Sequence, residues 1–299
     1  MGARDGGYPR RMVDIRDATP DDVEQVHELL AARNRAAFGS SEVTLGQVEA
    51  DFRRLGVDRW VAAHDGDLVG YAHLTSTHDF RYAGTDPDAA DALLDRVVER
   101  ARERGFDDLG ATVVREDAPL HTLVQRHGFV HEGDVLRMWR DVDGELPKAC
   151  WPDGVAVRTY TDADARRVHA LLDTAYSEWD ETYVPESHDE WLAFMTDHDE
   201  FDPELWFLVE RNGELVACAL HWREHQRRGW VKDLVVESSE RGRGLGKALL
   251  HHGLRAYVER DVDRVGLKVD SLNPTGAPQL YERVGFTIDR RYGMWRRAL

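Results

Sequence analysis

Apolar and polar positions along the chain change period several times. A β-branched run at 155–159 alternates and leads into Thr161-Asp162-Ala163-Asp164, a helix-capping signal. Apolar residues then recur every three to four positions to about Tyr176, the period of an amphipathic helix. A long polar and aromatic stretch without clear period follows. Two strand-like runs, 206–211 and 214–221, flank Asn212-Gly213, a dipeptide that accepts the positive φ angles of a tight hairpin. A third strand is predicted over 229–236, and a glycine-rich turn then opens a helix from about 244 to 260. Residues 265–269 read as a strand, 275–284 as a helix and 286–297 as closing strands. An antiparallel meander followed by a β-α-β unit predicts an α+β (mixed α/β) domain around one sheet.

The first half of the chain repeats this order. Val13-Asp14-Ile15-Arg16 with Thr19 matches Val155-Ala156-Val157-Arg158 with Thr161. Trp60 and Gly66-Asp67-Leu68-Val69 match Trp206 and Gly213-Glu214-Leu215-Val216, and Arg126-His127-Gly128-Phe129 matches Arg283-Val284-Gly285-Phe286. A unit of half the chain is far longer than the period of a solenoid, so two copies of one domain are expected. The predicted organisation is a leader at 1–11, a first domain at 12–144, a Gly- and Pro-containing join at 145–153 and a second domain at 154–299. Each domain is expected to be a mostly antiparallel sheet flanked by helices.

Composition narrows the function classes. Of 299 residues, 42% are apolar and 32% charged, which suits a globular chain with a core in each half. Acids outnumber bases 56 to 39, for a net charge of −17. Such a chain repels phosphate backbones, so nucleic acid is not expected as a partner. The apolar runs are far shorter than the ~20 residues of a membrane span, and no signal segment is legible in the polar opening residues. Cys150 and Cys218 make neither a disulfide framework nor zinc-ligand spacing, which suits a reducing cytoplasm. His251-His252 and His221 with His225 lack a third ligand at sensible spacing, so no metal is expected.

The sharpest local feature is Arg241-Gly242-Arg243-Gly244-Leu245-Gly246-Lys247, between a predicted strand and a predicted helix. Glycines admit close approach of the backbone, and a helix N-terminus offers unpaired N–H groups to an anion. A P-loop is excluded, because Arg241 stands at the first Gly position and Ala248 replaces the hydroxyl that would hold magnesium. The G-x-G-x-G spacing and the preceding meander do not fit a dinucleotide fingerprint. The turn resembles the R/Q-x-x-G-x-G/A signature of the GNAT superfamily of N-acetyltransferases. Asn273, Ala277, Leu280-Tyr281 and Gly285-Phe286 resemble a second segment of that family. The tandem arrangement is similar to mycothiol-synthase-like proteins, two fused domains of this kind.

The resemblance implies acetyl transfer from acetyl-CoA to a primary amine, run by the second domain without a metal. It implies that Leu234, Val235 and Val236 pair with the pantetheine arm, and that a backbone N–H of that strand polarises the acetyl carbonyl. The pyrophosphate would sit on Arg241, Gly242, Arg243, Gly244, Leu245, Gly246 and Lys247, with Asn273 as a further coenzyme contact. Tyr281 matches the acid that protonates the departing thiolate. Relatives use a strand Glu as base, but Trp230 and Lys232 occupy the nearest positions here. Asp233, the only carboxylate on the strand, is the remaining candidate for base or ammonium anchor. Residues 176–205 hold many acids and aromatics and no Lys or Arg, which suits a cationic acceptor or a solvated acidic face. Glu178, Trp179, Tyr183 and His221 are the acceptor-side candidates.

The first copy looks disarmed. Opposite the turn lies Thr85-Asp86-Pro87-Asp88-Ala89-Ala90-Asp91, with no glycine, one lost N–H and three carboxylates, and Val124 stands opposite Tyr281. That half is expected to act as scaffold. The alternatives to amine acetylation are a non-catalytic acyl-CoA sensor, mycothiol-synthase-type acetylation of a thiol-sugar precursor, and a tRNA-dependent transferase, which the acidic charge disfavours. Because a fused repeat imitates a dimer, either a monomer or a homodimer is expected.

Overall fold

The computed structural model describes residues 13–143, 146–178, 183–224 and 226–299. The chain forms two compact units, Met1–His131 with Trp295–Leu299, and Glu132–Met294. Both are mixed α/β.

In the first unit, β1 (Asp14–Asp17), α1 (Val23–Phe38), α2 (Leu45–Arg53), β2 (Asp58–His64), β3 (Asp67–Leu74) and β4 (Asp79–Gly84) come first. α3 (Pro87–Glu103), β5 (Asp108–Val114) and α4 (Ala118–Arg126) follow. The strand order is β1-β2-β3-β4-β5, antiparallel apart from the β4–β5 pair. One core gathers Leu93, Val97, Leu109 and Phe129, and a second gathers Val26, Val48 and Val61.

The second unit contains β6 (Val130–Asp141) from its third residue, then β7 (Val155–Thr159), α5 (Ala165–Ser177), α6 (His188–Thr196), β8 (Phe201–Arg211) and β9 (Glu214–Glu224). It continues with β10 (Arg228–Val236), α7 (Leu245–Val258), β11 (Arg264–Asp270), α8 (Ala277–Val284) and β12 (Thr287–Ala298) as far as Met294. The order is β12-β6-β11-β10-β9-β8-β7, with β10 and β11 parallel. The pairs β7–β8, β8–β9, β9–β10 and β11–β6 are antiparallel. Leu249, Leu254 and Leu267 fill the core under α7, and Val168, Leu172 and Met195 fill the core under α5 and α6.

These units divide the chain differently from the join read at 145–153. The last strand of the first repeat, β6, is built into the second unit, where Leu136 to Asp141 pair with β11. The end of β12 gives Trp295 to the first unit's core. Leu146, in the join, is buried in the second unit, and Arg255 donates to its carbonyl at 3.3 Å. A strand's partner is set by hydrogen bonds between distant segments, which chain order does not reveal.

Other elements follow their sequence signals closely. Asn212 and Gly213 both have positive φ, 53° and 84°, as a tight β8–β9 hairpin requires. Helix α6 lies inside the stretch that shows no clear period. It is started by a capping box, in which the Glu190 N–H donates to Ser187 Oγ and the Ser187 N–H donates to Glu190.

The repeated Arg…Thr motif has a structural cause. Arg158 grips Asp164 with two bonds of 2.8 and 2.6 Å, and Thr161 donates to the same carboxylate. Arg16, Thr19 and Asp22 repeat the arrangement, with bonds of 2.7 and 2.6 Å. Each cluster fixes the turn from first strand to first helix. Hydrogen bonds from Arg16, followed by those from Thr19, hold the Asp22 carboxyl at about 2 against the usual 3.8, despite its burial. A depressed carboxylate stabilises the fold above its unfolded titration range, and the gain vanishes as pH falls through the folded value. Asp22→Asn is expected to cost about 1–2 kcal/mol at pH 7, because Arg16 is partly solvated. The cost should shrink between pH 4 and pH 2, as read by chemical denaturation across that range.

Candidate active site

The site begins where two strands separate. The parallel β10–β11 ladder runs from Arg228↔Arg264 to Val231↔Leu267 and stops there. Beyond that pair β10 continues on β9 to Val236 and β11 on β6 to Asp270, so a wedge opens between them. Lys232 is a bulge residue, since Val231 pairs with His221 and Asp233 with Leu220. A bulge reverses the alternation of faces. Val231 therefore packs in the α7 core while Val235 packs in the α5 core. Asp233 shares the α5 side.

The wedge is part of a cavity of about 680 Å³ within the second unit. Leu234, Val235 and Val236 line one edge. Gly242 and Gly244 have φ of 76° and 89°, angles that a side chain disfavours. Gly244 is the N-cap of α7 and supplies no side-chain cap. The first amides of α7 thus open onto the cavity, at the positive end of the helix dipole. A Cβ on Gly246 would meet the Leu280 side chain at 3.1 Å, so its small size lets α7 approach α8. Lys247 and Asn273 also line the cavity, and Asn273 Oδ1 accepts the N–H of Thr275 at 3.0 Å. Arg243 is not part of this lining; it is half-exposed and lies 3.5 Å from Glu240.

Where the wedge narrows, the structure brings Asp233 and Tyr281 into one cavity. Asp233 is buried, accepts a 2.6 Å hydrogen bond from the Tyr176 hydroxyl and has Lys232 Nζ at 3.4 Å. Burial, then the Asp233 charge, pushes the Tyr281 phenol well above its usual range. It therefore stays protonated at neutral pH and remains a proton donor. The same two causes raise the Cys218 thiol, so it is not a thiolate nucleophile. Tyr176 is a residue that the sequence reading passed over. Its signal, a polar aromatic ending an amphipathic helix, is too common to single out.

The acceptor-side candidates are dispersed. Glu178 pairs with Arg241 at 2.6 Å, at the rim of the glycine turn. Tyr183 packs on Tyr176, with ring centroids 5.6 Å apart, and donates to Asp173. Trp179 lies outside the described residues. Among the described residues of 176–205, only Tyr176 lines the cavity. Asp202 and Glu204 pair with Arg260, and Trp191 and Met195 are core.

The first unit provides an internal contrast. Asp86 caps α3 with its own carboxylate, accepting the Ala89 N–H at 2.9 Å. The helix terminus that is left open in α7 is occupied here by an anion of the chain itself. Val124 is fully buried among core residues.

Comparisons with known proteins point to one family. The acetyltransferase (GNAT) family model matches residues 166–286, which span the wedge, the glycine turn and Tyr281. A mycothiol acetyltransferase of Streptomyces coelicolor is 30% identical over 97% of this chain and 96% of its own length. The crystal structure of a GCN5-related N-acetyltransferase from Sphaerobacter thermophilus superposes with a TM-score of 0.75 at 25% identity, covering 98% of this chain and 97% of that one. A tandem GNAT protein from the clavulanic acid biosynthesis pathway shares the fold, with a TM-score of 0.73, 17% identity, and coverage of 96% and 98%.

His221 does not join the cavity. Its ring faces α7, where a Cβ on Gly253 would lie 2.6 Å from it, and it packs on Phe207 and Tyr257. Neither ring nitrogen has a hydrogen-bond partner among the described residues. Burial, and secondarily His252, lowers it to about 3 from 6.5. The unfolded chain binds this proton more readily, so stability is lost as pH falls from 6.5 towards 3. Relative to His221→Leu, the wild type should lose about 2 kcal/mol between pH 7.5 and pH 5. Paired denaturation curves at the two pH values measure that difference.

Proposed function

Because the chain belongs to the acetyltransferase (GNAT) family, we propose that its second unit transfers an acetyl group from acetyl-CoA to a primary amine. The observation that carries this reading is the convergence of three parts on one cavity: an uncapped helix terminus, a free strand edge and a protonated buried phenol. In this reading the amides of α7 and the Lys247 ammonium hold the pyrophosphate, and Leu234 to Val236 accompany the pantetheine arm. The thioester of the bound co-substrate supplies the activated acetyl group. Asp233, held by Tyr176, orients the amine and takes up its proton, and Tyr281 gives a proton to the leaving thiolate. The first unit, with α3 capped by Asp86, serves as scaffold and binds no coenzyme at the equivalent place.

A second acceptor reading is favoured by the mycothiol acetyltransferase relatives: acetylation of a thiol-sugar precursor of the mycothiol type. Trp230 and Lys232 at the positions nearest the relatives' strand Glu weigh against a simple transfer of that assignment.

Calorimetric titration of acetyl-CoA is expected to show one site in the wild type and none in Gly244→Asp, which places a carboxylate on the anion cradle. Two sites, or unchanged binding in the variant, would reject the assignment of the cradle. Tyr281→Phe should keep its affinity for acetyl-CoA and lose roughly 10²-fold or more in kcat, the usual contribution of a positioned acid. Equal turnover of variant and wild type would remove Tyr281 from the mechanism.

A further inference from the structure

Asp233 is a buried carboxylate in the cavity wall, and a carboxylate taken out of water needs hydrogen-bond partners to fix its direction. Its two oxygens are unequally held. Oδ1 accepts the Tyr176 hydroxyl at 2.6 Å, whereas Oδ2 has Lys232 Nζ at 3.4 Å. The first distance is that of a strong charge-assisted bond, and the second is beyond that range. The phenol therefore sets how the carboxylate points.

Tyr176 is fixed in turn. The Tyr183 ring packs on it, with centroids 5.6 Å and planes 32° apart, and the Tyr183 hydroxyl donates to Asp173 at 2.7 Å. Asp173 lies on α5 three residues before Tyr176, on a neighbouring turn, so the second phenol is tied back to the helix that carries the first. Tyr183 itself does not line the cavity.

The first unit supplies a comparison. Val26-His27 on α1 matches Val168-His169 on α5, which sets Asn34 against Tyr176. Gly66 matches Gly213, which sets His73 against Leu220, and their partners on the next strand are Arg81 and Asp233. Both members of the Tyr–Asp pair are thus replaced in the unit whose helix terminus is filled by Asp86.

We infer that Tyr176 and Tyr183 are positioning residues: the Tyr176 hydroxyl aims Asp233 at the amine, and Tyr183 holds the Tyr176 ring in the place from which it does so. This rests on the amine-acetylation reading, and it moves Tyr183 from the acceptor side to the support of the carboxylate.

The test uses the full-length chain with acetyl-CoA and four primary amines: 2-phenylethylamine, cadaverine, L-leucine and D-glucosamine. Release of free coenzyme thiol gives kcat and KM for each amine that reacts, and calorimetry gives the acetyl-CoA Kd. Tyr176→Phe is expected to lower kcat roughly tenfold or more, with the acetyl-CoA Kd unchanged. The acid limb of its kcat/KM profile should move to higher pH, because losing a donor to the ionised carboxylate favours the protonated form. The groups around Asp233 are Lys232, the phenols of Tyr176, Tyr183 and Tyr281, and the Cys218 thiol. Burial, the foremost cause, raises the three phenols and the thiol, so none of these four titrates on that limb. Tyr183→Phe keeps the ring and loses the bond to Asp173, and it should lower kcat by a smaller factor with the amine KM unchanged. In Asp233→Asn, adding Tyr176→Phe should cost nothing more, whereas a merely structural loss would add to the first.

The inference is overturned if Tyr176→Phe keeps the wild-type kcat and acid limb, if its loss persists in Asp233→Asn, or if Tyr183→Phe leaves kcat unchanged, whatever happens to the amine KM. A wild type that binds no acetyl-CoA, or binds it and acetylates none of the four amines, overturns the amine-acetylation reading itself and the inference with it. Melting curves identify a misfolded variant, and Tyr183→Phe, outside the cavity lining, reads the same chain of contacts independently.

Discussion

Two parallel strands that stop pairing partway leave backbone donors and acceptors without a ladder, a cost that a fold accepts only where something else meets those groups. In the second unit the break falls after Val231 and Leu267, and the features of the site depend on it. It opens the wedge that carries Leu234 to Val236. The Lys232 bulge next to it turns Asp233 towards Tyr176 instead of into the apolar core under α7. A regular strand would put Val231, Asp233 and Val235 on one face, where a carboxylate would lack partners.

The two units show how little separates an open helix terminus from a closed one. Both connect a parallel strand pair through a helix, and both stabilise the entry to their first helix with an Arg–Asp grip. At the start of α7 the chain uses glycines with positive φ and provides no cap. At the start of α3 it uses Asp86 and Pro87, so one amide is missing and another is already bonded. The frame is preserved and the chemistry of four or five residues decides whether an anion has a place.

Charge illustrates the distance between composition and site. A chain with net charge −17 suggests an appetite for cations. Folding spends many of its acids on the chain's own arginines, as with Glu178 on Arg241 and Asp202 and Glu204 on Arg260. Among the described residues the cavity is lined instead by Lys232, Arg241, Lys247, Lys268 and Arg283 beside Asp233, Glu240 and Asp270, so the sign at the cavity is not that of the chain as a whole.

The sequence by itself determined the elements governed by local rules. The Asn212-Gly213 hairpin, the capped helix starts, the strand order within the meander and the glycine turn are short-range consequences of φ preference, periodicity and capping. The pairing of Arg241-Gly242-Arg243-Gly244 with the segment around Tyr281 was legible because both motifs are contiguous. Tertiary structure alone decided which strand joined which unit, so β6 and the end of β12 crossed the join read at 145–153. It also decided that His221 faces α7 while Tyr176 faces Asp233. Those outcomes depend on bulges and on partners far apart in the chain, and a single inserted residue on a strand moves every later side chain to the opposite face.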